Sequence, residues 1–104
     1  MTGSQFETLC LTARERQDKI LFAKGLEYTQ GSEDRGANFK RLAERLGVDP
    51  LTVWFIYFHK QVDGIASYVK FGKEYSEPIE GRFDDAMNYL VLGLSLIADK
   101  RGVV

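Results

Sequence analysis

One cysteine, two prolines, a single histidine and no surplus of either charge set the first limits on this chain of 104 residues. Cys10 alone excludes an internal disulfide framework and any cysteine-rich zinc site, and its place among apolar neighbours reads as a small core residue. His59 has no Cys or His partner at ligand spacing and is expected to be structural. Fourteen Lys and Arg against fifteen Asp and Glu leave a net charge of −1. That balance lacks the basic surplus of a general nucleic-acid or anionic-membrane binder, so neither partner is expected. No apolar run reaches the roughly 18 residues that a membrane helix needs. The start, MTGSQFETLC, has neither the basic region nor the apolar stretch of a secretory signal. A cytoplasmic protein is the expectation.

The hydrophobic content of 44% and aromatic content of 12% exclude a disordered chain. A chain of this length should bury roughly 65% of its unfolded surface, enough for one core and too little for two. Residues 1–104 are therefore read as one domain.

Helical spacing dominates. Ser4 and Glu7 form an S-x-x-E capping box, followed by Phe6, Leu9, Cys10, Ala13, Ile20 and Leu21 at helical intervals, which predicts a helix from residue 4 to Lys24 or on to Tyr28. TQGSEDRG (29–36) has no apolar residue and reads as a loop. Phe39, Leu42, Ala43 and Leu46 predict a short helix over 37–46 ending at Gly47. Asp49-Pro50 is an N-cap followed by proline at the first helical position. Leu51, Phe55, Phe58, Val62, Ile65 and Val69 then step by four and three through a helix over 50–70. Trp54, Ile56 and Tyr57 make its first half apolar almost all round, as in a helix buried on more than one side or shared with a partner copy. FGKEYSEP (71–78) reads as a polar loop. Phe83, Met87, Leu90, Leu94 and Ile97 then form the apolar face of a last helix from Pro78 to about Lys100. No sustained alternation or Asn-Gly turn points to strands. The expected fold is all-α, a four-helix bundle of three long helices and one short.

Two constellations bear on function. FKRLAERLGVDPLTVWFIYF has a helix-turn-helix shape, with Ala43, Gly47, Val53 and Ile56 at the spacings of two helices crossing at a tight turn. A DNA reader needs polar side chains on the outward face of the second helix. Leu51, Trp54, Phe55 and Phe58 stand there instead, so the second helix is expected to face a core.

The second constellation is polar. At about 100° per residue, Glu77, Gly81, Asp85 and Asn88 share one strip if the last helix reaches back to Glu77, with Glu80 and Asp84 beside it. Oxygen ligands clustered near an apolar seam are what Mg²⁺ requires. An acidic first turn favoured by the helix dipole explains the same spacing, and more simply. Lys24, Glu27 and Tyr28 at the end of the first helix join this set, as do Asp34, Arg35 and Asn38 in the loop after it. Lys60 interrupts the most apolar helix, where a lysine either reaches the surface along its own stem or meets an anion.

The order Lys24-x-x-Glu27-Tyr28, Asn38-Phe39, Leu46-Gly47-Val48-x-Pro50, Lys60, Glu77-Pro78-Ile79 and Asp85-x-x-Asn88-Tyr89 resembles a family of small, largely phage-encoded all-α proteins, the nucleotide modification associated domain type 1 group. The likeness runs from about Phe6 to Lys100. That family in turn is similar to all-α nucleoside triphosphate pyrophosphohydrolases of the MazG kind, which hold Mg²⁺ with carboxylates of neighbouring helices and often work as dimers or tetramers. The resemblance implies a nucleotide-handling site with Glu27, Glu77 and Asp85, and with Lys24 and Lys60 facing phosphate. Glu27 stands where the family usually has Asp, Gly81 where a further carboxylate is usual, and the E-x-x-E signature is absent from the first helix. Fewer carboxylates imply weaker metal binding.

Three functions follow as expectations. The first is Mg²⁺-dependent hydrolysis of a nucleoside triphosphate or modified nucleotide. Glu27, Glu80 and Asp85 would be catalytic, and Glu77, Glu80, Asp84 and Asp85 would hold the metal. Lys24, Arg35, Asn38, Lys60, Asn88 and Tyr89 would bind the substrate, with Tyr28 or Trp54 stacking on a base. The second is a non-catalytic protein that sequesters cyclic or modified nucleotides of a host defence system. The third is a protein-binding homo-oligomer, from the aromatic surplus of the central helix.

Overall fold

Thr2 begins the first helix by reciprocal capping: its hydroxyl accepts the Gln5 N–H at 3.1 Å, and the Gln5 side chain accepts the Thr2 N–H at 2.8 Å. This box lies two residues ahead of the Ser4–Glu7 box expected from sequence, and it places Ser4 inside the helix, where its carbonyl accepts the Thr8 hydroxyl. The computed structural model describes residues 1–102, which form α1 (Gly3–Tyr28), α2 (Ala37–Leu46), α3 (Pro50–Phe71) and α4 (Ile79–Arg101), with no strand among them. None of these helices is long and apolar enough to cross a membrane.

Each later boundary has a local cause. Gly47 and Gly72 close α2 and α3 in the left-handed region at φ 69° and 70°, which glycine enters without steric cost. Asp49 caps α3, its Oδ1 accepting the Leu51 N–H at 2.8 Å. Pro78 has no side-chain acceptor, so the first N–H of α4, at Ile79, is satisfied from outside by the Glu74 carboxylate at 2.5 Å. Glu77 consequently lies before the helix, and the strip expected to run from Glu77 through Asn88 is broken at its first member.

The fully buried apolar centre is small: Phe39 and Ala43 of α2, Val53 of α3 and Leu96 of α4, with Leu42, Leu51, Trp54, Tyr89 and Leu92 packed around them. α3 and α4 run antiparallel, Trp54 meeting Gly93 near one end and Gly64 meeting Arg82 near the other. The indole of Trp54 lies against the α4 backbone at Gly93, where a Cβ would overlap the ring, and its Nε1–H donates to the Tyr89 carbonyl at 2.6 Å.

α1 joins α4 by polar bonds. Arg16 and Gln17 both donate to Asp84, and the Asn88 amide donates to the Gln17 carbonyl at 3.0 Å. The inward side of α4 therefore carries Asp84, Asn88, Gly93 and Leu96. Phe83, Met87, Leu90 and Leu94, the face expected to pack, are exposed. α4 spends its inward side on hydrogen bonds to α1 and on a small residue beneath Trp54, which leaves the larger apolar residues outside.

Candidate functional site

The four elements converge on one cleft of about 470 Å³, within the usual range for a small-molecule site, about 300–1,000 Å³. α1 contributes Ile20, Leu21, Lys24, Gly25 and Tyr28, residues that recur on one side of a helix. The following segment and α2 supply Thr29, Arg35, Asn38 and Phe39; α3 supplies Tyr57, Lys60 and Gln61. Glu77 stands at the entrance to α4, and Arg82, Asp85, Asn88, Tyr89 and Leu92 complete the wall.

The loop between α1 and α2 is built to hold Arg35 in this wall. The Thr29 hydroxyl bonds the Gly25 carbonyl at 2.6 Å, and the Asp34 carboxylate accepts the Gly36 N–H at 2.9 Å. Lys40 then ties Asp34 (2.7 Å) to Asp99 of α4 (3.0 Å). Arg35 lies directly across α1 at Gly25, where any Cβ would overlap the guanidinium. From there its Nη2 donates to the Leu21 carbonyl at 2.6 Å.

Polarity changes with depth. Lys24, Lys60, Tyr28 and Tyr57 are exposed at the mouth, while Phe39, Gln61 and Asn88 are buried. Tyr57, Phe39 and Tyr89 form an aromatic wall, with ring centroids 6.2 and 6.3 Å apart in edge-to-face contact, the geometry the ring quadrupoles favour. Two buried polar atoms have no partner among the described residues, Arg35 Nε and Gln61 Oε1, and both residues line the cleft. Gln61 is only 8% exposed.

The chain carries a net charge of −1, yet four cations and two carboxylates line this cleft. Glu77 approaches Arg82 at 3.8 Å. Lys24 and Lys60 have no ion-pair partner among the described residues. Burial pushes the Asp85 carboxyl above the usual range, with Glu77 and Asp84 adding to the rise and Lys24 and Arg82 opposing it. The Tyr89 phenol is raised as well, first by burial and then by Tyr28, Asp85 and Tyr57. Perturbed groups gathered in a cleft mark candidate functional sites.

Of the residues singled out from sequence, Lys24, Tyr28, Arg35, Asn38, Lys60, Glu77, Asp85, Asn88 and Tyr89 meet in this cleft. Four others do not. Glu27 and Glu80 are exposed and outside the lining. Trp54 is held between Gly93 and the Tyr89 carbonyl and stacks on Phe58 at 5.3 Å, so its face is not free for a base. Asp84 is 2% exposed and occupied by Arg16 and Gln17. Arg16 holds its carboxyl below the usual range.

The carboxylates expected to cage Mg²⁺ therefore do not form one set, and no group of three His, Cys, Asp or Glu side chains suited to a metal occurs among the described residues. Glu77 and Asp85 alone face the cleft, a pair that holds a divalent ion only with further oxygens from a ligand or water.

Sequence reasoning missed Gln61, Arg82 and Tyr57. A signal existed for Gln61, a second polar residue directly after Lys60 in an otherwise apolar helix, and for Arg82, three residues before Asp85 on one helical side. Set against family models, curated proteins and solved structures, the chain matches none of them, so the chemistry of the cleft itself carries the functional reading.

Proposed function

We propose that the cleft binds a nucleotide, or a small molecule that likewise combines an anionic phosphate with a flat, hydrogen-bonding ring. The observation that carries this reading is the make-up of the cleft: Lys24, Arg35, Lys60 and Arg82 against Glu77 and Asp85 beside three tyrosines, in a chain whose net charge is −1. Gln61 and Asn88, buried polar side chains in the same lining, add amide groups of the kind that pair with the edge of a nucleobase. The exposed Lys24 and Lys60 at the mouth supply charge for phosphate, and the tyrosines supply apolar faces for the ring.

Binding without turnover is the form of the reading the residues support best. Of the three carboxylates expected to be catalytic, only Asp85 lines the cleft. Such a protein would sequester or present its ligand, as expected of one acting on cyclic or modified nucleotides. Hydrolysis stands as a second reading, favoured by the raised Asp85 carboxyl, because a carboxyl tuned upward is suited to proton transfer.

Titration calorimetry with a panel of nucleoside mono-, di- and triphosphates and cyclic dinucleotides, with and without Mg²⁺, tests both. Saturable binding with intact ligand recovered after denaturation is the expected result. Hydrolysed ligand, absent from an Asp85→Ala control, transfers the conclusion to the second reading. No heat with any member of the panel removes the nucleotide.

A further inference from the structure

Gly64 stands in the interior of α3, where glycine costs stability relative to alanine and no turn calls for one. Its reason is a neighbour. A Cβ at this position would lie 2.8 Å from Cδ and 2.9 Å from Nε of Arg82, so the missing side chain is what lets Arg82 lie across the α3 backbone. Arg35 lies over Gly25 of α1 in the same way. Both arginines line the cleft. Lys24 and Lys60 are exposed, whereas the Arg82 side chain is only 21% exposed.

Packing fixes Arg82, but its donors are barely engaged. Nη2 is 3.4 Å from the Ser76 hydroxyl and Nε is 3.8 Å from Glu77 Oε2, both longer than an ordinary N–H···O bond of about 2.7–3.2 Å. Arg35, by contrast, spends its Nη2 on the Leu21 carbonyl at 2.6 Å. A guanidinium held in place with its fork open matches the paired oxygens of a phosphate, and it has little rotamer freedom left to lose on binding. Glu77 is its partner within the chain. That carboxylate sits ahead of α4 and is 52% exposed, and among the described residues it pairs with Arg82 alone. An exposed pair so long contributes little to stability. Its effect falls on the site instead: Glu77 stands against the fork of Arg82 and adds a negative charge that a phosphate must meet.

We propose that Arg82, seated on Gly64, is the phosphate contact of the cleft, and that the Glu77 carboxylate is its internal competitor, displaced when the phosphate pairs with the guanidinium. This rests on the reading of the cleft as a site for a phosphate-bearing ligand. It gives Glu77 a sign opposite to that of the metal ligand expected from sequence: a metal ligand supports binding, and a competitor opposes it. Because Glu77 is half exposed and outside the helix, it can turn to solvent without disturbing α4, whose first N–H is held by Glu74.

Inorganic pyrophosphate, titrated into isotope-labelled protein without divalent metal and followed by NMR, reads the Arg82 Nε–H directly, the signal that Arg82→Lys removes. Saturable movement of that signal is expected. Glu77→Gln keeps the side chain's size and removes its charge, and is expected to tighten the dissociation constant roughly threefold, the scale of an exposed ion pair. Gly64→Ala is expected to weaken it about tenfold, as when a hydrogen bond to a charged group is lost. Its Tm should stay level or rise, since the added Cβ meets only the movable Arg82 side chain and alanine is the better helix former. Glu80→Gln, on an exposed carboxylate of α4 outside the cleft, is expected to shift the constant less than Glu77→Gln, which separates a local effect from a general change of charge. A constant that Glu77→Gln leaves unchanged or raises overturns the proposal. So does an Arg82 signal that pyrophosphate does not move, or binding that Gly64→Ala does not weaken. If pyrophosphate behaves as expected while no nucleotide of the panel binds, the Arg82 seat stands and the nucleotide falls. If nucleotides bind and Glu77→Gln does not tighten them, the nucleotide stands and the competitor falls.

Discussion

Arg16 of α1 and Asp84 of α4, 68 residues apart in sequence, form a two-bonded pair, Nε to Oδ2 at 2.5 Å and Nη2 to Oδ1 at 2.9 Å. The carboxylate is 2% exposed and the guanidinium 41%, so the two partners are unequal. Removing Arg16 strands a buried charge with only the Gln17 amide, whereas removing Asp84 frees a cation that can turn to water. Breaking one side of such a pair costs more than replacing both sides with apolar groups. Arg16→Ala is therefore expected to lower Tm more than the double replacement Arg16→Met/Asp84→Leu, measured by thermal unfolding of both. The pair also has a pH signature. Asp84 is held below the usual carboxylate range by Arg16, so as pH falls the unfolded chain takes up its proton first. The stabilisation is complete above the unfolded value, about 3.9, and is lost as pH falls through the lower folded value. Asp84→Asn removes this part of the acid slope.

Gly93 and Gly81 share α4 but should answer differently to alanine. A Cβ on Gly93 would overlap the Trp54 indole, while one on Gly81 meets nothing within 4 Å. Gly93→Ala forces Trp54 off its seat and is expected to cost about 1–3 kcal/mol. Gly81→Ala should stabilise by about 0.5–1 kcal/mol through helix propensity. Chemical denaturation of the two variants, compared at equal m-value, checks both signs.

The boundaries of α2 and α3 were legible because their signals are local: Gly47 at a left-handed turn, Asp49-Pro50 at a capped start. Part of the cleft's lining was legible as a polar set: Lys60 interrupts an apolar helix, Asp85 and Asn88 share one strip of α4, and Lys24 and Tyr28 close α1. What sequence could not give was the side of α4 that faces inward. Periodicity finds an apolar stripe and assigns it to the core, but here Phe83, Met87, Leu90 and Leu94 lie outside while Asp84 and Asn88 lie inside. The deciding facts, the Arg16–Asp84 pair and the seat of Trp54 on Gly93, join residues 68 and 39 positions apart. Spacing within one helix does not see them. Trp54 was misread for the same reason, its polar atom being spent on the Tyr89 carbonyl.

Asp85 gives the cleft a pH dependence with a definite sign. Burial raises its carboxyl, so between the unfolded value, about 3.9, and the higher folded value the native protein holds a proton that the unfolded chain has lost. Stability should fall as pH rises through that window, and Asp85→Asn should remove the fall, as Tm measured against pH without ligand will show. An anionic ligand meets one carboxylate fewer when Asp85 is protonated. Its affinity should therefore rise as pH falls through the same range, and should respond to pH less in Asp85→Asn.

Gln61 separates binding from packing most sharply. Its Oε1 is buried without a partner, so Gln61→Leu, close in volume and without the polar atom, removes a desolvation cost of about 1–3 kcal/mol. The variant is expected to be as stable as wild type or more so, while losing affinity for the panel ligand that binds the wild type most tightly. A residue that served only the core would behave otherwise: stability and binding would move together. If calorimetry finds Gln61→Leu binding as tightly as wild type, Gln61 does not read the ligand, and recognition falls to Lys24, Lys60 and the tyrosines alone.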